Sequence, residues 1–154
     1  MVYAGETETV HKNRSKALGN NNINLIPVLH DMSHLFAVNT ALQNGEIVSM
    51  PCDRKHGSTK SVACDFLHGK ADFPVGASTL AVSFDVEILA LFVIKISTKK
   101  YRIFVRPIES KEIFLPSNKK EKIENLTFAY VKELENIVKQ YPEQWFNFYD
   151  FWKE

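Results

Sequence analysis

The sequence predicts an α/β fold: a partial mixed β-sheet flanked by helices. Three observations carry this. Residues 88–96 read Ile-Leu-Ala-Leu-Phe-Val-Ile-Lys-Ile, a strand-length run rich in β-branched residues, the pattern of a buried strand. Ile123, Leu126, Tyr130, Leu134, Ile137, Val138 and Tyr141 recur at helical spacing, which predicts a long amphipathic helix. Between and before them, strand-type and helix-type segments succeed one another in the order expected of layered α/β chains.

Taken in order, residues 7–18 are polar, with Val10, Ala17 and Leu18 as their apolar points, and predict a surface helix. Asn20, Asn21 and Asn22 signal a turn. Residues 23–29 predict a short strand. Asp31 or Ser33 then caps a helix through Leu35, Phe36, Val38, Ala41 and Leu42. Asn44-Gly45 ends it, because glycine tolerates a left-handed backbone. Residues 47–50 predict another buried strand, closed by Pro51.

Residues 52–70 carry Asp53, Arg54, Lys55, His56, Lys60, Asp65, His68 and Lys70 with two glycines. They predict a long polar loop or a short hairpin set after a strand end, where ligands tend to bind in α/β proteins. A small-residue helix over 77–84 follows, then the strand at 88–96, a hairpin tip at Lys99-Lys100 and a strand over 101–108. Residues 111–122 read as a charged linker. Pro142 ends the long helix and can start another. The whole chain, 1–154, reads as one single-domain portion with 111–154 as a helical C-terminal tail.

Composition narrows the function. Nineteen basic residues nearly balance eighteen acidic ones, so global charge gives no reason to expect a nucleic-acid partner. Cys52 and Cys64 are too few for a disulfide framework and lack zinc-ligand spacing. No apolar run reaches the roughly 20 residues of a membrane span. The N-terminal segment has no basic region followed by an apolar stretch, so it does not read as a signal peptide. Gly57-Ser58-Thr59-Lys60-Ser61 lacks the glycine that must precede a phosphate-loop lysine, and no Gly-x-Ser-x-Gly elbow exists. His30 and His34 lie four apart without a third metal ligand placed by the sequence, so structural or solvated roles are expected of them.

Three segments share a resemblance. The first is Ala41-Leu-Gln-Asn-Gly-Glu-Ile-Val-Ser-Met-Pro-Cys-Asp-Arg54. The second is Cys64-Asp-Phe-Leu-His-Gly-Lys-Ala-Asp-Phe-Pro-Val-Gly76. The third is Tyr141-Pro-Glu-Gln-Trp-Phe-Asn-Phe-Tyr-Asp-Phe-Trp152. In this order the chain resembles the lipid A biosynthesis acyltransferases, a lysophospholipid-type family, most of all its Bacteroidetes versions. The resemblance implies the C-terminal half of a glycerolipid-acyltransferase-like fold. It implies transfer of a fatty acyl group from acyl carrier protein to a hydroxyl of a membrane lipid acceptor, without a cofactor, at the cytoplasmic face of the inner membrane. The implied partners are acyl carrier protein, the lipid acceptor and the inner-membrane surface.

The family uses a His-x-x-x-x-Asp/Glu pair, with histidine as base and the acid orienting it. Here the residues at that spacing from His11, His30, His34, His56 and His68 are Lys16, Leu35, Asn39, Ser61 and Phe73. None is acidic. The expectation is that the pair belongs to a segment upstream of Met1 in a longer parent and that this chain alone is inactive. A non-catalytic lipid-binding or interaction module of the same fold is the competing reading. The chain departs from the family pattern at His68, Ala77 and Glu87.

The candidate substrate-binding residues are Asp53, Arg54, Lys60, Lys70, Phe73, Pro74 and Gly76. Arg54 suits bidentate phosphate binding; the alternative is a local Asp53–Arg54 ion pair. Lys60 and Lys70 either meet an anionic headgroup or are solvated. Phe73, Pro74 and Gly76 either shape the acyl or phosphate site, Gly76 by close backbone approach, or make a tight entry into a helix. The aromatic tail (Trp145, Phe146, Phe148, Tyr149, Phe151, Trp152) either closes the core as a helix or meets a membrane interface. Lys95, Lys99, Lys100, Arg102 and Arg106 form either a solvated hairpin or an anion-attracting patch.

Overall fold

The structure is a computed structural model that describes residues 2–3, 23–28, 33–55, 60–109 and 118–152. The helix expected over 7–18, the Asn20–Asn22 turn, the Asp31 cap, most of the 111–122 linker, and His11, His30 and His56 lie outside the described residues. The chain divides into two compact units, 1–50 and 51–154.

In the first unit, β1 (Val2–Tyr3) pairs in parallel with β2 (Pro27–Val28). Helix α1 spans His34–Gln43, and Ser33 precedes it without a side-chain capping bond. The helix stops where expected: Gly45 has φ +75°, and the amide of Glu46 reaches back to the Ala41 carbonyl. The expected buried strand at 47–50 is not formed. Its residues take no regular secondary structure, and Ile47 is 94% exposed. A four-residue run with three apolar side chains, Ile47, Val48 and Met50, cannot specify a strand without a neighbouring strand to pair with.

The second unit is built on α3 (Lys119–Gln140). Its N-terminus is fixed by reciprocal capping. The Asn118 side chain accepts from the Glu121 amide at 3.0 Å and donates to the Glu121 carboxylate at 3.0 Å. Leu126, Thr127, Val131, Leu134, Ile137 and Val138 form its buried face. Two antiparallel hairpins and a short helix accompany it: β3 (Ser61–Phe66) with β4 (Gly69–Pro74), α2 (Gly76–Phe84), and β5 (Ile88–Ser97) with β6 (Lys100–Ile108). A mixed α/β architecture is therefore present. Among the described residues the strands pair as one short parallel ladder and two antiparallel hairpins rather than in one sheet.

Each hairpin alternates as its pleat requires. Cys64, Phe66, Ala71 and Phe73 point into the core, with Asp65, Lys70 and Asp72 on the opposite face. The β3–β4 turn places Leu67 at φ +55°, a conformation costly for a branched side chain. The Glu135 carboxylate offsets that cost by accepting from the Leu67 amide at 2.8 Å. Its bond to Lys139 and this amide hold the Glu135 carboxyl below the usual range.

In the second hairpin Ala90, Phe92, Ile94 and Ile108 are buried, but Leu89, Leu91 and Val93 stand in solvent. The run at 88–96 is thus a strand buried on one face only. The turn falls at Thr98-Lys99, and Lys100 already opens β6.

The aromatic tail is not a continuous helix. A single 3₁₀ turn, Pro142–Gln144, follows α3. The Gln144 amide then bonds both backbone groups of Lys95, accepting from its N–H at 2.8 Å and donating to its carbonyl at 3.0 Å. It imitates a paired strand at that position. Trp145 and Phe151 enter an edge-to-face aromatic cluster with Phe66 and Phe73, ring centroids 4.9–5.6 Å apart. Trp152 pairs with Ala71, and its indole N–H donates to the Phe66 carbonyl at 3.1 Å. Phe146 and Phe148 point outward.

A buried polar relay joins α2 to α3. The Thr127 hydroxyl donates to the Ile123 carbonyl at 2.9 Å, so its lone pairs accept from the Ser78 hydroxyl 2.8 Å away. Thr127→Val is expected to strand the Ser78 hydroxyl and cost about 1–3 kcal/mol in urea unfolding. Adding Ser78→Ala should recover part of the loss. Recovery of nothing would mean that the hydroxyls act independently.

Candidate functional site

The polar segment expected over 52–70 forms the β3–β4 hairpin from Ser61, and its first residues, 52–55, are irregular rather than the continuation of a strand. Local electrostatics order these residues instead. Arg54 places Nη2 at 2.9 Å and Nε at 3.3 Å from one carboxylate oxygen of Asp53. The Lys55 ammonium lies 3.1 Å from the Asp72 carboxylate, which ties the loop to β4. The Asp53 carboxylate raises the Arg54 guanidinium further above its ordinary value by hydrogen bonding. Arg54 keeps about half its side chain in solvent (47%), while Asp53 is more enclosed (25%).

Two tyrosines flank this loop, Tyr149 exposed and Tyr130 largely buried, and the sequence did not single out either as a site residue. Tyr149 of the tail lies within electrostatic reach of Arg54 and Asp53, and its phenol is raised chiefly by burial. Tyr130 of α3 stacks on Phe92 with centroids 6.4 Å apart. Burial, with Cys52 and Asp53 nearby, pushes its phenol far above the usual range. A tyrosine within an apolar helical stripe was the available signal. Its neighbours are set by tertiary packing.

The other candidates disperse. Lys60 sits at the foot of β3, where its carbonyl accepts from the Val75 amide at 3.4 Å. Lys70 is on the outer face of the hairpin, 3.7 Å from Asp65, with both side chains highly exposed. Phe73 is fully buried in the aromatic cluster and offers a ligand no surface. Pro74 ends β4, half-buried. Gly76 opens α2 in open space, where an added Cβ would meet no protein atom within 4 Å.

The cationic residues of the second hairpin are exposed. Arg102 donates to the Tyr141 hydroxyl at 3.2 Å, and Arg106 lies over the Phe104 ring at 5.6 Å.

Among the described residues no three His, Cys, Asp or Glu side chains gather as a metal site. Burial pushes the thiols of Cys52 and Cys64 up to about 11, so both are protonated at neutral pH and poor nucleophiles. His34 and His68 are described; neither has an acid at the five-residue offset. No described helix is long and apolar enough to cross a membrane.

The arrangement presents a half-exposed guanidinium held in place by a carboxylate, with Lys55 in the same loop and the exposed Tyr149 phenol nearby. A half-exposed guanidinium can pair with an anionic oxygen ligand. In comparison with known proteins, the family model for the bacterial lipid A biosynthesis acyltransferase matches residues 20–154. No curated protein matches the chain.

Proposed function

Since the chain belongs to the bacterial lipid A biosynthesis acyltransferase family, we propose that its 51–55 loop receives the phosphate-bearing part of a lipid acceptor in an acyl transfer reaction. The observation that supports this is the Arg54 guanidinium. It is oriented by Asp53, remains half in solvent and sits beside Tyr149. A planar guanidinium can offer parallel N–H donors to a phosphate, which a lysine cannot.

The donor in this reading is an acyl carrier protein thioester, at the cytoplasmic surface of the inner membrane. The acceptor hydroxyl oxygen attacks the thioester carbonyl carbon. The new C–O bond forms as the C–S bond breaks, and the hydroxyl proton passes through a base to the departing thiolate. The protonated state of both cysteines favours this direct transfer over an acyl-cysteine intermediate.

No histidine of the chain stands at the required spacing from an acid, so acyl transfer in this reading needs a base from outside residues 1–154. The isolated chain is expected to give no product above background when incubated with an acyl carrier protein thioester and a lipid A precursor. Turnover that disappears on replacing His34 or His68 would overturn this. The missing spacing also favours a second reading, a lipid-binding module without chemistry. A parent sequence carrying the His-x-x-x-x-acid pair upstream decides for the enzyme. Its absence decides for the module.

A further inference from the structure

The outer face of the β5–β6 hairpin is apolar, and the other described residues leave it exposed. The pairings Leu91↔Val105 and Val93↔Ile103 place four aliphatic side chains directly opposite one another on it. Leu89, Leu91, Val93, Ile103 and Val105 are 50–61% exposed, and Tyr101 is 56% exposed. Together they expose on the order of 600 Å² of contiguous apolar surface, at the top of what a monomer tolerates without using it. With the stems of flanking charged residues the patch approaches the ~800 Å² per partner of a standard interface.

Charge along the hairpin is polarised. Lys95, Lys99 and Lys100 lie toward the tip, while Asp85, Glu87 and Glu109 flank the open base; Arg102 and Arg106, paired with the buried Ile94 and Ala90, belong to the other face. We infer that this face packs against the same face of a second copy of the chain, as a two-sheet sandwich with the tip of each hairpin over the base of the other. A two-fold axis in the interface and across the strands produces this arrangement. An axis along the strands would superimpose the two basic tips, and charge selects against it. Facing sheets pack about 10 Å apart with strands within roughly 30° of alignment, which the β-branched surface permits. The same acidic base argues against an anionic bilayer as the occupant. The inference stands independently of the acyl-transfer reading.

Sedimentation equilibrium of the full chain across a concentration series is expected to show a monomer–dimer equilibrium. Leu91→Lys and Ile103→Lys should each raise its dissociation constant about a hundredfold, because each change counts twice across the axis. Both side chains are largely in solvent in the single chain, so cooperative thermal unfolding at dilution should persist. Charge reversal gives a second readout that leaves the apolar face intact. Lys99→Glu should weaken the dimer roughly tenfold, and Glu87→Lys added to it should restore the affinity. Strengthening by Lys99→Glu alone would overturn the tip-to-base arrangement. A monomer at every concentration would overturn the inference, whether or not it floats with phosphatidylglycerol vesicles. So would a dimer indifferent to both lysine substitutions.

Discussion

Replacing Phe73 by alanine is expected to cost about 3–5 kcal/mol of unfolding free energy, the usual range for a fully buried phenylalanine. Its ring has no solvent-exposed surface and stands edge-on to Phe66 at 5.3 Å and Phe151 at 5.5 Å. The loss therefore combines transfer, cavity and aromatic-pair terms. The cavity would open beneath the tail, where Trp145 and Phe151 also pack, and collapse there would loosen Trp152 from β4. Phe73→Leu should lose much less, since it keeps most of the volume. Denaturant titration of both variants gives the comparison. A stability change below about 1 kcal/mol for Phe73→Ala, with loss of lipid binding, would return Phe73 to the ligand site and discredit the packing account.

The reverse pattern is expected at the loop. In a full-length parent, Arg54→Lys and Asp53→Ala should lower the rate of acyl transfer roughly tenfold to hundredfold, the equivalent of ~1.5–3 kcal/mol for a charged hydrogen bond. Stability should barely move. The Asp53–Arg54 pair joins adjacent residues, and Arg54 is half in solvent. A pair so exposed contributes about 0–1 kcal/mol to folding. Lysine keeps the charge but loses the fork, so the Arg54→Lys result separates geometry from charge. Unchanged activity per folded molecule, together with a fallen melting temperature, would show that the pair only braces the loop.

The helices were the most legible part of the fold. The stripe from Ile123 to Val138 defines α3 because a 22-residue amphipathic helix repeats its signal over many turns. The stop at Gly45 was equally clear, since its positive φ suits glycine. Short apolar runs misled: Ile47–Met50 has strand composition, yet it forms no strand among the described residues. The β3–β4 hairpin was half hidden by its turn, which lacks the usual Gly or Asn. Leu67 holds a left-handed conformation there through a carboxylate 68 residues away. The site divided in the same way. Asp53 and Arg54 are sequence neighbours and could be named together. The approach of Tyr149 and the clamp from Lys55 to Asp72, 17 residues apart, depend on contacts no local pattern encodes.

The bond from the Trp152 indole to the Phe66 carbonyl joins residues 86 apart, and this has a consequence on the ribosome. At roughly 5–20 residues per second, Trp152 is made about 4–17 s after Phe66. Throughout that interval the β3–β4 hairpin exists without the tryptophan that packs over Gly69, where an added Cβ would lie only 2.6 Å from the indole. The nascent hairpin must wait with Phe66 and Phe73 uncovered by Trp145 and Phe151, which are also synthesised late. Chaperone engagement during translation should therefore be greatest in this window and end once the aromatic tail emerges.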